Sequence, residues 1–163
     1  MKDLIILRGE SGVGKSTIGK LLSKFFKKGV TIEIDDIRNM VNSVEWTNNK
    51  EYIDAIESTK SLAFVFLQNK YLPVIIIDTF SFQTTRIIID NLPTGTTYKI
   101  ITLIASKIKI KERIMRRNKE LVVFDEFDFT QENDICCEVN HFLIDTTDMS
   151  ADEVFERITK EIF

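Results

Sequence analysis

The chain has 163 residues, 44% of them hydrophobic and 29% charged, with a formal net charge of −3. That is enough for one domain with an ordinary core, and it argues against a protein that coats nucleic acid through a broad basic face. No apolar run approaches the roughly eighteen residues of a membrane span, and the only two cysteines, Cys136 and Cys137, are adjacent rather than spaced as a secreted disulfide framework. The first residues enter a strand pattern at once, with no room for a signal peptide, so a cytoplasmic protein is expected.

In chain order, "DLIILRG" (Asp3 to Gly9) has the apolar density of a buried strand and runs into a glycine-rich turn. A helix is predicted over Lys15 to Lys28, with Ile18, Leu21, Leu22, Phe25 and Phe26 on one face and Gly29 as its stop. "VTIEID" (Val30 to Asp35) alternates as a second strand, followed by a helix from Ile37 that gives way near Asn42. A long helix is expected from Lys50 to Asn69, with Ile53, Ile56, Ala63 and Leu67 on one stripe. "VIIIDTF" (Val74 to Phe80) is the clearest buried strand, and "QTTRIIIDNL" a short helix. "YKIITLIA" (Tyr98 to Ala105), a helix over Lys107 to Asn118 and "HFLIDTT" (His141 to Thr147) follow. Ser150, with Glu153 three positions on, forms a capping box before a last helix. Apolar strands alternating with helices imply an α/β fold with a mostly parallel sheet covered on both faces.

Charge is segregated late in the chain. Lys107 to Lys119 holds seven basic residues and one acid, whereas Glu120 to Glu138 holds seven acids and no Lys or Arg.

"GESGVGKST" (Gly9 to Thr17) carries the Gly-x4-Gly-Lys-Ser pattern between a strand and a helix. Glycines let backbone N–H groups curl around one phosphate, and the following helix adds the positive end of its dipole. Gly9, Gly12, Val13, Gly14, Lys15, Ser16 and Thr17 are therefore expected to bind a nucleotide triphosphate. Lys15 meets the terminal phosphates, and the Ser16 hydroxyl ligates Mg2+. Asp78, at the end of "VIIID", is expected to join the Mg2+ shell; the alternative is a cap for the following turn.

The residues after Asp78 are Thr79, Phe80 and Ser81, so the Asp-x-x-Gly of a GTPase is missing. "NKEL" and "NKYL" likewise lack the Asp of a guanine-reading motif. ATP is thus the expected donor.

With "IDDIR" (Ile34 to Arg38), the loop resembles the P-loop kinases that phosphorylate a hydroxyl: polynucleotide 5′-hydroxyl kinase domains and, more widely, zeta-toxin and gluconate or shikimate kinases. The resemblance implies a P-loop NTPase three-layer sandwich with a five-stranded parallel sheet in the order 2-3-1-4-5. The single domain would span 1–163, with a lid over about 113–137. It further implies that Asp35 is the base meeting the acceptor hydroxyl and that Arg38 binds an acceptor phosphate or carboxylate. Arg113, Arg116 and Arg117 would neutralise the moving phosphoryl group. A carboxylate that orients a hydroxyl and takes its proton suits such a transfer. Asp35 and Asp36 could instead cap the next helix, with Arg38 paired to one of them, and the arginines could be solvated surface. The lid departs from the family pattern, being acidic and free of arginine beyond Arg117.

The expected reaction is Mg2+-ATP-dependent transfer to the hydroxyl of a small molecule, nucleoside or polynucleotide 5′-end. The alternative is an ATP-binding switch or slow ATPase. Trp46 packs or stacks on a nucleobase, and Cys136, Cys137 and His141 lack a zinc spacing.

Overall fold

The computed structural model describes residues 1–79, 81–116 and 140–163. The elements are β1 (Leu4–Gly9), α1 (Lys15–Phe25), β2 (Val30–Glu33), α2 (Ile34–Arg38), α3 (Asn49–Gln68) and β3 (Val74–Asp78). They continue with α4 (Phe82–Ile89), β4 (Tyr98–Ile104), α5 (Lys107–Met115), β5 (His141–Asp145) and α6 (Ala151–Ile162). The strands pair in parallel in the order β2-β3-β1-β4-β5, the order implied by the resemblance.

Alternation along each strand divides the apolar residues between two faces. Ile5, Leu7, Ile75, Ile77, Ile101 and Leu103 pack with Ile18 and Leu22 of α1, Ile110 of α5 and Val154 and Ile158 of α6. Leu4, Ile6, Val74, Ile76 and Ile100 pack with Ile34 of α2, Ile56, Ala63 and Leu67 of α3 and Ile88 of α4. With helices on both sides, β1 is buried along its whole length, which is why Leu4 to Leu7 read as a continuous apolar run. Burying a side chain such as Ile76 stabilises the fold by roughly 1.5–3 kcal/mol.

Local signals fix the helix starts. Asn48 Oδ1 accepts from the N–H groups of Lys50 and Glu51 at 3.0 and 3.3 Å. Ser150 and Glu153 complete the reciprocal cap, at 2.7 and 3.3 Å.

Several boundaries differ from the sequence expectation. β2 ends at Glu33, and the chain turns helical at Ile34. Burial of Ile34 against α3 draws the backbone off the sheet edge, and Asp35 and Asp36 gain the positive end of a short helix dipole. Asp35 therefore lies in the first turn of α2 rather than at a strand tip. α1 stops at Phe25, whose ring is 49% exposed and meets Phe26, Phe155 and Phe163 edge-on. α5 is described to Met115, with Arg116 as its C-cap. The expected lid from residue 117 on, including Arg117, Cys136 and Cys137, lies outside the described residues. No helix among the described residues is long and apolar enough to cross a membrane.

Candidate active site

β1 delivers the chain to the phosphate-binding loop at the carboxyl edge of the sheet, where open α/β folds place ligands. Gly9 has φ +147°, and a Cβ there would strike the Leu103 carbonyl of the neighbouring strand. Gly14 has φ 112° at the N-cap of α1, a left-handed conformation that only glycine adopts cheaply. No acidic residue occupies the first turn of α1, so the positive end of its dipole faces the loop without a carboxylate of that turn against it.

Lys15 folds back across the loop. Its Nζ donates to the carbonyls of Gly9 and Glu10 at 2.7 and 2.9 Å and to Thr79 Oγ1 at 3.3 Å. Desolvation pushes its ammonium down to about 8, an effect opposed by the carboxylates of Asp78, Asp35, Glu33 and Glu10 in that order. Asp35, which is exposed, thus shares its electrostatic field with both Lys15 and Asp78.

The register sets Asp78 level with Arg8, one residue before the loop. Burial raises the Asp78 carboxyl, moderated by hydrogen bonds from Tyr52 and from the Thr79 backbone and by the charge of Lys15. The Tyr52 hydroxyl donates to Asp78 Oδ2 at 2.6 Å. Burial and the adjacent carboxylate push this phenol far above its usual range, so it stays a donor. At the end of the neighbouring strand β2, Glu33 Oε2 accepts a hydrogen bond from Ser16 Oγ at 3.1 Å. Ser16, Glu33 and Asp78 offer hard oxygen donors of the kind Mg2+ takes together with substrate phosphates. Among the described residues, no three His, Cys, Asp or Glu side chains gather into a ready cation cage.

Arg38 is 7% exposed. Its Nη2 donates to the carbonyls of Glu45 and Trp46 at 3.2 and 2.9 Å, and its guanidinium lies over the Trp46 and Tyr52 rings at 4.5 and 5.7 Å. It pins the segment between α2 and α3. Asp35 and Asp36 take no part in that anchoring.

Arg113 stands behind the loop. Nη1 donates to the Val13 carbonyl at 3.1 Å and to Thr146 Oγ1 at 3.0 Å, and Nη2 donates to the Thr146 carbonyl at 2.6 Å. This ties α5 and the turn after β5 to the phosphate loop. Arg116 is exposed. Both arginines border a pocket of about 300 Å³ beside the start of α1, whose apolar wall includes Ile18, Met149 and Val154.

The structure therefore gathers Lys15, Ser16, Asp35 and Asp78 at one edge, with Arg113 and Arg116 behind the loop and Arg38 embedded under its own segment. Sequence reasoning missed Glu33, Tyr52, Thr79 and Thr146. From the sequence Glu33 reads only as a strand residue and Tyr52 only as one position in a long helix. Thr146 lay within a segment read as a strand.

The parallel sheet in this order, with a glycine loop feeding a helix beside a strand-end carboxylate, defines the P-loop kinase fold. A family model described as an AAA domain matches residues 4–133, and the chain belongs to that family. No curated protein matches the sequence. Among solved structures, a gluconokinase from Sinorhizobium meliloti 1021 is similar at 15% identity and a TM-score of 0.68, covering 99% of this chain and 93% of that one. The APS kinase CysC of Mycobacterium tuberculosis, solved with AMPPNP and APS, is similar at 10% identity and a TM-score of 0.65, covering 98% and 96%. A Pnkp1/Rnl/Hen1 complex contains a chain similar at 20% identity and a TM-score of 0.58, covering 78% of this chain and 44% of that one. At these identities the likeness is one of fold.

Proposed function

We propose that the protein transfers the γ-phosphoryl group of Mg2+-ATP to an acceptor hydroxyl. The observation that carries this reading is the glycine loop at the carboxyl edge of the sheet, whose Lys15 reaches Thr79 Oγ1 at 3.3 Å, next in sequence to Asp78. One cation aimed at terminal phosphates shares an edge with a buried carboxylate suited to a metal shell and an exposed carboxylate suited to an alcohol.

In this mechanism the loop N–H groups of Gly9 to Thr17 hold the phosphates, and the base of ATP lies in the pocket bordered by Arg116, Met149 and Val154. Lys15 exchanges its carbonyl partners for phosphate oxygens and offsets charge on the transferring group. Ser16 and Asp78 would hold the Mg2+, with Glu33 orienting the Ser16 hydroxyl. When bound, Mg2+ neutralises charge shared between the phosphates. Asp35 orients the acceptor hydroxyl and accepts its proton. Arg38 lines the acceptor side, and Arg113, Arg116 and Arg117 supply positive charge around the transfer.

A second reading, an ATP-binding switch or slow ATPase, is favoured by the ties of Arg113 to Val13 and Thr146, which leave it little freedom to follow a moving phosphate. ATP consumption decides between them, measured alone and with nucleosides, sugars, nucleotides and 5′-hydroxyl oligonucleotides, with Lys15→Ala as control. Stimulation by one acceptor class, lost in Lys15→Ala, is the expected result. Equal consumption with and without every acceptor overturns the transferase reading.

A further inference from the structure

Tyr52 joins the two sides of the site. Its hydroxyl donates to Asp78 Oδ2 at 2.6 Å and lies 3.5 Å from the Thr79 carbonyl. On its other side the ring centroid is 5.7 Å from the Arg38 guanidinium. Arg38 is itself stacked 4.5 Å from the Trp46 ring and bonded to the Glu45 and Trp46 carbonyls. Three side chains in sequence therefore lead from the exposed segment after α2 to the carboxylate beside Lys15.

The hydroxyl is not required for packing, since a phenyl ring would fill the same space. Burying it costs free energy unless it is hydrogen-bonded. A bond to a carboxylate is stronger than one between neutral groups, and it fixes the direction of the acceptor as well as its energy. With Oδ2 held, the Asp78 carboxylate cannot rotate freely about its terminal torsion, and Oδ1 keeps one orientation. That matters for an ion that demands near-octahedral geometry, because partners behind a ligating group set its aim.

We propose that Tyr52 is a positioning residue. Its hydroxyl aims the Asp78 carboxylate at the cation accompanying the nucleotide, and through Arg38 and Trp46 it makes cation binding depend on the segment 39–48. The proposal rests on the Mg2+-ATP reading above and assigns Tyr52 no contact with substrate. Contiguity alone does not establish coupling, so the test measures it directly.

The experiment titrates Mg2+ and follows ATP binding by calorimetry in the full chain, without acceptor, and repeats the titration with Mn2+ followed by its paramagnetic signal. Tyr52→Phe should raise the Mg2+ concentration for half-maximal effect about tenfold. ATP affinity in EDTA and the melting temperature should stay near wild type. Trp46→Ala should shift the requirement about threefold in the same direction, and should add nothing in the Tyr52→Phe background.

An unchanged Mg2+ and Mn2+ requirement in Tyr52→Phe overturns the proposal. So does an equal loss of ATP affinity with and without the metal. If Tyr52→Phe does not fold, Trp46→Ala decides, and an unshifted metal requirement there overturns the coupling. Lys15→Ala binding ATP as tightly as wild type would instead overturn the underlying P-loop reading, leaving the two failures distinguishable.

Discussion

The two sides of the site are built differently. The donor side that we propose rests chiefly on one run, Gly9 to Thr17, whose backbone N–H groups and helix N-terminus need only local conformation. The acceptor side that we propose would draw on α2, the segment 39–48 and α3, elements joined to the sheet by contacts such as Tyr52 to Asp78, 26 residues apart in sequence. Backbone chemistry can be written into a short motif. Side-chain chemistry has to be brought together by the fold, and it is the part that varies between proteins sharing the fold.

If the contrast is right, substitutions should separate the two sides. Asp35→Asn gives the largest effect: turnover falls about 10²- to 10⁴-fold, while calorimetric ATP binding stays within twofold of wild type. Undiminished turnover would remove Asp35 from the acceptor side. Arg113→Ala should act on the donor side alone. Losing its bonds to Val13 and Thr146 lowers stability by about 1–3 kcal/mol and weakens ATP binding about tenfold, read by thermal melting and calorimetry. Selective loss of acceptor affinity would instead place Arg113 across the divide.

The smallest effect concerns pH. The Lys15 ammonium sits at about 8 in the free protein, and a bound polyphosphate favours its charged form. ATP affinity should fall about two- to tenfold between pH 7 and pH 9. Above pH 8 binding should take up a proton, seen by calorimetry in two buffers of different ionisation enthalpy. The unliganded fold should also gain stability from about pH 8 toward the ordinary lysine value of 10.5. In that window the unfolded lysine still holds a proton the folded one has lost. Both trends should vanish in Lys15→Ala.

The same contrast explains what could be read beforehand. The apolar runs at Leu4 to Leu7 and Val74 to Ile77, the glycine spacing and the Ser150–Glu153 cap are local patterns, and each appears in the fold where expected. The end of β2 is hidden in the sequence because "VTIEID" alternates smoothly through Glu33 and Ile34, and only the packing of Ile34 against α3 reveals the turn. Tyr52 sits in a long amphipathic helix, where nothing in its neighbours signals a carboxylate from another strand. Thr146 was absorbed into an expected strand, yet it is 2% exposed and holds Arg113. Such residues become visible only once the sheet order is known.

The ammonium of Lys15 is already clasped by two main-chain oxygens of its own loop. Any incoming anion must evict these internal placeholders before it gains the lysine. The lysine therefore gains from a phosphate only the difference between the bonds it makes and the bonds it gives up.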